Sequence, residues 1–339
     1  MKFFKYILFL LLIGIIGFAI YIAVQPNEFE VSRERTINAP ASVIYNNVID
    51  LKNWESWSSW VERDPETVIT LSDKTKGVDG SYTWVDSHGE GSMKTLATTP
   101  NLTIDQELQF GDFHPSKINW KFESTQPNKT KVTWKMNSNK VPFIFKASAL
   151  FSGGFDSMIG PDFERGLEKL DSIVVSSMSK YNVTVEGVTE HSGGFYLYNT
   201  TSCKISDMPI KMGESMQLVH GYAQANNITM AGRPFSIYHK WDQENGNVMF
   251  SSCIPTNSKV ITSDSNVLTG KLKPFKAVKT VLKGDYKNLK EAWDKTSKHI
   301  AAKNLVTKET GIALENYITD PMAVQNPAEW VTEIFVEVN

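Results

Sequence analysis

Glu34-Arg-Thr-Ile-Asn-Ala-Pro-Ala-Ser-Val-Ile-Tyr45, followed by Val48-Ile-Asp-Leu-Lys-Asn-Trp54-Glu-Ser-Trp57-Ser-Ser-Trp60, holds the junctions on which the fold turns. Glu28 to Asn38 reads as a strand, and Ala39-Pro40-Ala41 opens a short helix, since proline near a helix start lacks an N–H that would go unpaired there anyway. Trp54, Trp57 and Trp60 recur every third residue, so on a helical turn they share one face and plug a core beneath a sheet. Downstream, alternating runs separated by turn residues, at Thr67–Leu71, Gly80–Val85, Gly91–Thr98, Leu102–Phe110, Lys117–Phe122 and Lys131–Met136, predict an antiparallel meander. Gly153-Gly154 then breaks the chain. Ile159, Phe163, Leu167, Leu170 and Val174 mark one stripe of a long helix, with Pro161 in its first turn, that covers the concave face of the sheet.

Upstream, Ile7–Val24 carries no charged residue and as a helix would rise about 27 Å, enough to cross a membrane. No small-x-small cleavage pattern closes it, and Tyr21-Ile-Ala-Val-Gln25-Pro26 reads as an uncleaved anchor over residues 1–25, with a cleaved signal peptide as the alternative. Lys2, Lys5 and the free amine favour an N-terminus inside and a soluble part outside the cytoplasm, although Arg33 and Arg35 weaken that bias. In an oxidising compartment the only two cysteines, Cys203 and Cys253, have the option of a disulfide; otherwise they are two buried thiols.

The 339 residues exceed one ordinary domain, and 41% hydrophobic residues supply real cores. With 35 basic and 37 acidic residues and no long charge blocks, the footprint of a nucleic-acid binder is missing, so no nucleic-acid partner is expected. No Cys-x-x-Cys, His-Glu-x-x-His, Gly-x-Ser-x-Gly, phosphate-binding Gly-Lys loop or dinucleotide fingerprint occurs, and the six histidines are scattered; no metal and no cofactor is implied.

After Lys180 the pattern restarts. Val183–Thr189 and Phe195–Ser202 read as strands, Ser206 as a helix N-cap, and Met208, Met212, Met216, Val219 and Ala223 as the buried stripe of the helix that follows. Phe235–Trp241 and Val248–Ile254 form a hairpin across Asn245-Gly246. Then Ala277–Leu282 reads as a strand, Tyr286–Ala302 as a helix, and Gly311–Ile318 with Val331–Val338 as a second pair. Strand, helix, strand, strand thus occurs twice, a duplicated β-α-β-β unit. In the last strand, Trp330-Val-Thr-Glu333-Ile-Phe-Val, alternation puts Val331, Glu333 and Phe335 on one face. Glu333 is then either a solvent-facing edge carboxylate or a desolvated one that needs a partner from protein, water or a positively polarised ligand.

Residues 34–60 with the meander and long helix resemble the opening of the START-like (SRPBCC) superfamily, in its polyketide cyclase/dehydrase and lipid-transport branch, over about residues 29–178. The resemblance implies a helix-grip antiparallel sheet domain with an apolar cavity between sheet and helix. Gly232-Arg-Pro-Phe-Ser-Ile-Tyr238-His-Lys-Trp241-Asp with Val248-Met-Phe-Ser-Ser-Cys-Ile-Pro255, then Leu282-Lys-Gly-Asp-Tyr286, Tyr317-Ile-Thr-Asp320-Pro321 and Thr332-Glu-Ile-Phe-Val336, resemble the GyrI-like small-molecule-binding domain, also the effector-binding module of AraC-type bacterial regulators, over residues 182–339. That resemblance places the family's central acid on Glu333 and its pocket aromatics on Tyr238 and Tyr317; Trp241, Tyr286 and Trp330 complete the expected ligand-binding set. Glu337 stands where the family usually has proline, either raising the Glu333 pKa by like-charge repulsion or facing solvent. The expected class is α+β, and the expected function a membrane-anchored protein that binds a small hydrophobic or cationic ligand. A hydrolase or cyclase of a hydrophobic natural product with Glu333 as general acid or base is the alternative.

Overall fold

A computed structural model describes residues 2–308 and 310–339; Met1 and Glu309 lie outside the described residues, as do the side chain of Lys2 and the terminal amine invoked for the direction of insertion. The chain divides into two units, Met1–Ser177 and Met178–Asn339.

The first unit begins with α1 (Lys2–Ala23), whose span Phe3–Ala23 is long and apolar enough to cross a membrane. There follow β1 (Phe29–Ile37), α2 (Ala41–Ile49), α3 (Trp54–Trp57), α4 (Ser59–Arg63), β2 (Val68–Leu71), β3 (Ser81–Asp86), β4 (Gly89–Thr99), β5 (Thr103–Phe110), β6 (Ser116–Gln126), β7 (Lys129–Ser138), α5 (Phe143–Phe151) and α6 (Phe155–Met178). The strands form one antiparallel sheet in the order β1-β7-β6-β5-β4-β3-β2, the expected meander with the first strand closing against the last. Pro40 precedes α2 in extended conformation, so it stands at the cap position rather than inside the helix. Pro161 lies in the second turn of α6, not the first, because the helix already starts at Phe155.

Trp54, Trp57 and Trp60 do not ride one helix: Ser58 is extended between α3 and α4. Their rings nevertheless converge, each with its centroid 5.9–6.0 Å from that of Trp134. Trp120 stacks on one side of Trp134 at 4.5 Å and Phe163 of α6 on the other at 4.0 Å. Among the described residues, rings thus occupy the space between this part of the sheet and the long helix. A cleft bordered by Trp54, Trp60, Tyr82, Trp84 and Phe110 measures about 80 Å³, well below the roughly 300 Å³ at which drug-sized ligand pockets begin. Gly166 permits this closeness, since a Cβ there would lie 2.7 Å from the Trp134 ring.

The second unit contains β8 (Asn182–His191), β9 (Gly194–Lys204), α7 (Met208–Ala225), β10 (Phe235–Asp242), β11 (Asn247–Thr256), β12 (Leu268–Leu272), β13 (Phe275–Lys283), α8 (Leu289–Ala302), β14 (Ala313–Tyr317) and β15 (Val331–Glu337). All its strands join one sheet in the order β12-β9-β11-β10-β14-β15-β13-β8. Outward from the centre, each half reads second, third and first strand of a β-α-β-β unit: β10-β11-β9 on one side, β14-β15-β13 on the other. The duplication read from the sequence is thus a pseudo-two-fold whose axis passes between β10 and β14. The edge strand β12 was not foreseen. Ser206 lies in a short 3-10 turn before α7 and gives no side-chain cap. Cys203 and Cys253 are both free thiols on neighbouring strands, opposite Val248 and Tyr198 respectively, so the disulfide option is not taken.

Helix α7 buries Val219 and Ala223 against Leu197 and Ile254, and α8 buries Ala292 against Leu282 and Ile334. The register Ile254↔Leu197, Ser252↔Ser236, Ser236↔Glu315 and Glu315↔Ile334 shows that these positions share one face of the sheet. Both helices therefore cover the outer strands of the same face, and the central strands β10 and β14 form the floor between them.

Candidate functional site

On that floor stands Glu315, 2% exposed, in the middle of β14. Trp293 of α8 donates its indole N–H to Glu315 Oε1 at 2.6 Å. Tyr238 of β10 and Tyr317 of β14 donate their hydroxyls to Oε2 at 2.9 and 3.0 Å. Tyr317 Oη also lies 3.1 Å from Ser236 Oγ and 3.2 Å from Met212 Sδ, which extends α7 to the same spot. The rings continue outward in two arms. Tyr238 meets Trp293 at 5.7 Å and Trp241 at 6.1 Å; Tyr286 meets Tyr317 at 5.8 Å and Trp330 at 4.9 Å.

Burial raises the carboxyl pKa of Glu315 above its ordinary value, and the three hydrogen bonds only partly offset that, because loss of hydration penalises the charged form more than neutral donors restore it. The same burial, reinforced by the adjacent carboxylate, pushes the Tyr238 and Tyr317 hydroxyls well up, so both stay protonated donors at neutral pH. Tyr286 is pushed up to about 12, first by burial and then by Glu315. Among the described ion pairs, none includes Glu315. A carboxylate has about four acceptor positions, and three are taken by the indole and the two phenols. What remains is one acceptor position beside several aromatic rings, surroundings in which a ring face and an ionised carboxylate would attract the same cation.

The structure places Glu315, rather than the expected Glu333, among the expected aromatic residues. Glu333 lies on the opposite face of the sheet, because its partner in the register is Asn316, the neighbour of Glu315. Its carboxylate pairs with Lys279 at 2.9 Å, and Lys279 also reaches Glu186 at 3.1 Å. Glu337 points to the Glu333 face and is taken up by Lys308 at 2.5 Å and the Ile312 backbone N–H at 2.9 Å, which together hold its pKa below the ordinary carboxylate range. By contrast Tyr238, Tyr317, Trp241, Tyr286 and Trp330 are all brought together, around Glu315 rather than Glu333. Trp293 and Glu315 were missed. The usable signal was Glu315-x-Tyr317: two residues apart on a strand, they share a face, so the tyrosine can donate to the acid beside it. Trp293 had no such local signal, since only the α8 packing brings it over β14.

A second donor set, also unforeseen, lies in the first unit. Asp64, Asp86 and His88 bring ligand atoms within 4.8 Å of one another. Asp64 accepts the Ser87 and Glu66 backbone N–H groups and Asp86 that of His88, so both carboxylates already serve the turn between β3 and β4.

Comparison with known proteins agrees with this architecture. Residues 37–160 match the profile of the polyketide cyclase / dehydrase and lipid transport family, and residues 195–339 that of the GyrI-like small molecule binding domain. No curated protein matches. Among solved structures, the C-terminal domain of EcmrR is 19% identical, with 47% of this chain and 98% of that chain covered and a TM-score of 0.41. EcmrR in a DNA complex is 18% identical over 58% of this chain and 83% of that chain, TM-score 0.41. An integron cassette protein of Vibrio cholerae is 16% identical over 47% and 99%, TM-score 0.32. The chain thus joins a polyketide cyclase / dehydrase and lipid transport domain to a GyrI-like small molecule binding domain, in that order.

Proposed function

We propose that the second unit binds an amphipathic organic cation between its two pseudo-symmetric halves, with Glu315 as counter-charge and the flanking rings as walls. The observation that carries this is the buried carboxylate held by three neutral aromatic donors with no described ion-pair partner. A cation entering beside it gains a desolvated charge pair and ring-face contacts, each of the order of 2 kcal/mol in such surroundings. The apolar walls select a ligand body of matching flatness, and Trp241, 49% exposed, stands at the outer end of one arm. The proposal includes a membrane tether through α1, with the folded units outside the cytoplasm, an orientation that the lysines ahead of the span favour and Arg33 and Arg35 after it oppose.

Isothermal titration with benzyltrimethylammonium and with its uncharged carbon isostere tests this reading. Wild type should favour the cation at least tenfold, and Glu315→Gln should erase the preference while retaining the isostere. Equal affinities in the wild type would remove the charge from the account.

The raised Glu315 pKa also bears on the hydrolase or cyclase reading, since a general acid or base works best when its pKa lies near the working pH. In that case substrate turnover, and not binding alone, would vanish in Glu315→Gln.

A further inference from the structure

Helix α5, the nine residues Phe143-Ile-Phe-Lys-Ala-Ser-Ala-Leu-Phe151, has an exposed face with no charge on it. At 100° per residue Phe143, Ala147 and Phe151 follow one another along that face, with Ile144 and Ser148 beside them. Phe143 is 50%, Ile144 55% and Phe151 77% exposed. Ser148 donates its hydroxyl to the Ile144 carbonyl at 3.1 Å, so even the one polar side chain of the face is internally satisfied. The single charged residue, Lys146, points the other way and is 5% exposed.

Beside α5 lies the end of α1. Lys146 Nζ donates to the carbonyls of Ala23, at 3.2 Å, and Gln25, at 2.7 Å, the last acceptors of α1. A buried ammonium there satisfies unpaired helix-end carbonyls and complements the negative end of the helix dipole. Five residues on, Phe151 meets Phe18, five residues back along α1, with ring centroids 5.9 Å apart. At 1.5 Å per residue both intervals are about 7.5 Å, so α5 runs antiparallel to the end of α1 and its last turn lies that far below the level at which α1 ends. The turn that follows leaves no N–H open: Ser152, Gly153 and Gly154 donate to Ser148, Leu150 and Ala149. Left-handed Gly153 and Gly154 then lead the chain away into α6.

We propose that α5 is an interfacial helix, seated in the boundary between headgroups and acyl chains beside the membrane-spanning α1, so that the first unit is held on the bilayer by two elements locked to each other through Lys146. An uncharged apolar face, a closed C-terminal turn and continuity with an apolar span are the properties such a helix needs. This rests on α1 spanning the membrane.

The test is nitroxide accessibility of the full chain in phosphatidylcholine–phosphatidylglycerol vesicles, in a Cys203→Ser background in which buried Cys253 stays unlabelled. Labels go on Ile13→Cys, Phe151→Cys and Gln126→Cys. The expected oxygen-to-nickel collision ratio at 151 lies several-fold above that at 126 and below that at 13. A ratio at 151 equal to that at 126, with 13 still in hydrocarbon, overturns the interfacial helix and leaves the tether standing. An aqueous signal at 13 overturns the tether and the proposal with it.

Discussion

Replacing Glu315 by Gln isolates the energetic cost of the buried charge. In the wild type the folded pKa lies above the ordinary 4.5, with burial as the largest cause and the Trp293, Tyr238 and Tyr317 hydrogen bonds opposing it. The folded state therefore holds a proton that the unfolded state has already released, and between the two pKa values stability must fall as pH rises, by at most about 1.36 kcal/mol per pH unit. The contribution is fully present below the unfolded pKa and is lost as pH passes the folded one. Glutamine with its carbonyl toward Trp293 keeps that N–H bond and turns its amide toward both phenols, which shared Oε2 and can accept from it instead, so the variant loses about one neutral hydrogen bond, roughly 1 kcal/mol. The predicted difference is thus pH-dependent: Glu315→Gln is less stable by about 1 kcal/mol at pH 4, and equal to or more stable than wild type at pH 7.5. For a unit of this size 1 kcal/mol shifts Tm by about 2–4 °C. Urea unfolding of both proteins from pH 4 to 7.5 measures this directly, since every other titrating group cancels in the difference. A difference that stays constant with pH, or a loss of several kcal/mol at pH 7.5, would refute the claim that desolvation dominates at this carboxylate.

Phe163→Ala removes the ring stacked on Trp134 from a fully buried site and should destabilise the first unit by about 3–5 kcal/mol, read as a lower urea midpoint with an unchanged slope. Trp57→Phe should cost much less than that, because the Trp57 indole N–H is buried with no hydrogen-bond partner and its removal relieves an unpaired donor. Glu333→Gln breaks a partly exposed ion pair with Lys279 and should change stability by no more than about 1 kcal/mol while leaving affinity for benzyltrimethylammonium within twofold of wild type by titration calorimetry.

Much of the architecture was legible because strand alternation and turn residues are local signals. The meander, the long α6 and the repeated β-α-β-β order all follow from spacing of two or 3.6 residues. The five expected aromatic residues do lie in two chains of ring contacts that meet at Glu315. That Glu315 rather than Glu333 lies beside them was not legible, because β14 and β15 each carry a Glu, and only the register Glu315↔Ile334 against Asn316↔Glu333 decides which face each occupies. A shift of one residue exchanges the faces, and nothing local sets it. Lys279 is the other half of the explanation: it lies on the neighbouring strand and neutralises Glu333, a long-range pairing outside any window of sequence. The filled interior of the first unit was half visible in its tryptophans, whereas the approach of Phe163 and Gly166 to Trp134 depends on how α6 packs. Helix α5 escaped altogether, since a nine-residue stretch with seven apolar residues resembles a buried strand until the burial of Lys146 is known.

The central claim is tested most directly by observing Glu315 itself. Side-chain ¹³C-carboxyl NMR of the labelled protein, assigned with Glu315→Gln, should show a titration midpoint above 4.5 that falls when benzyltrimethylammonium saturates the protein, as the bound cation stabilises the ionised form. A midpoint at or below the ordinary value and unmoved by the cation would contradict a buried counter-charge waiting for its ligand.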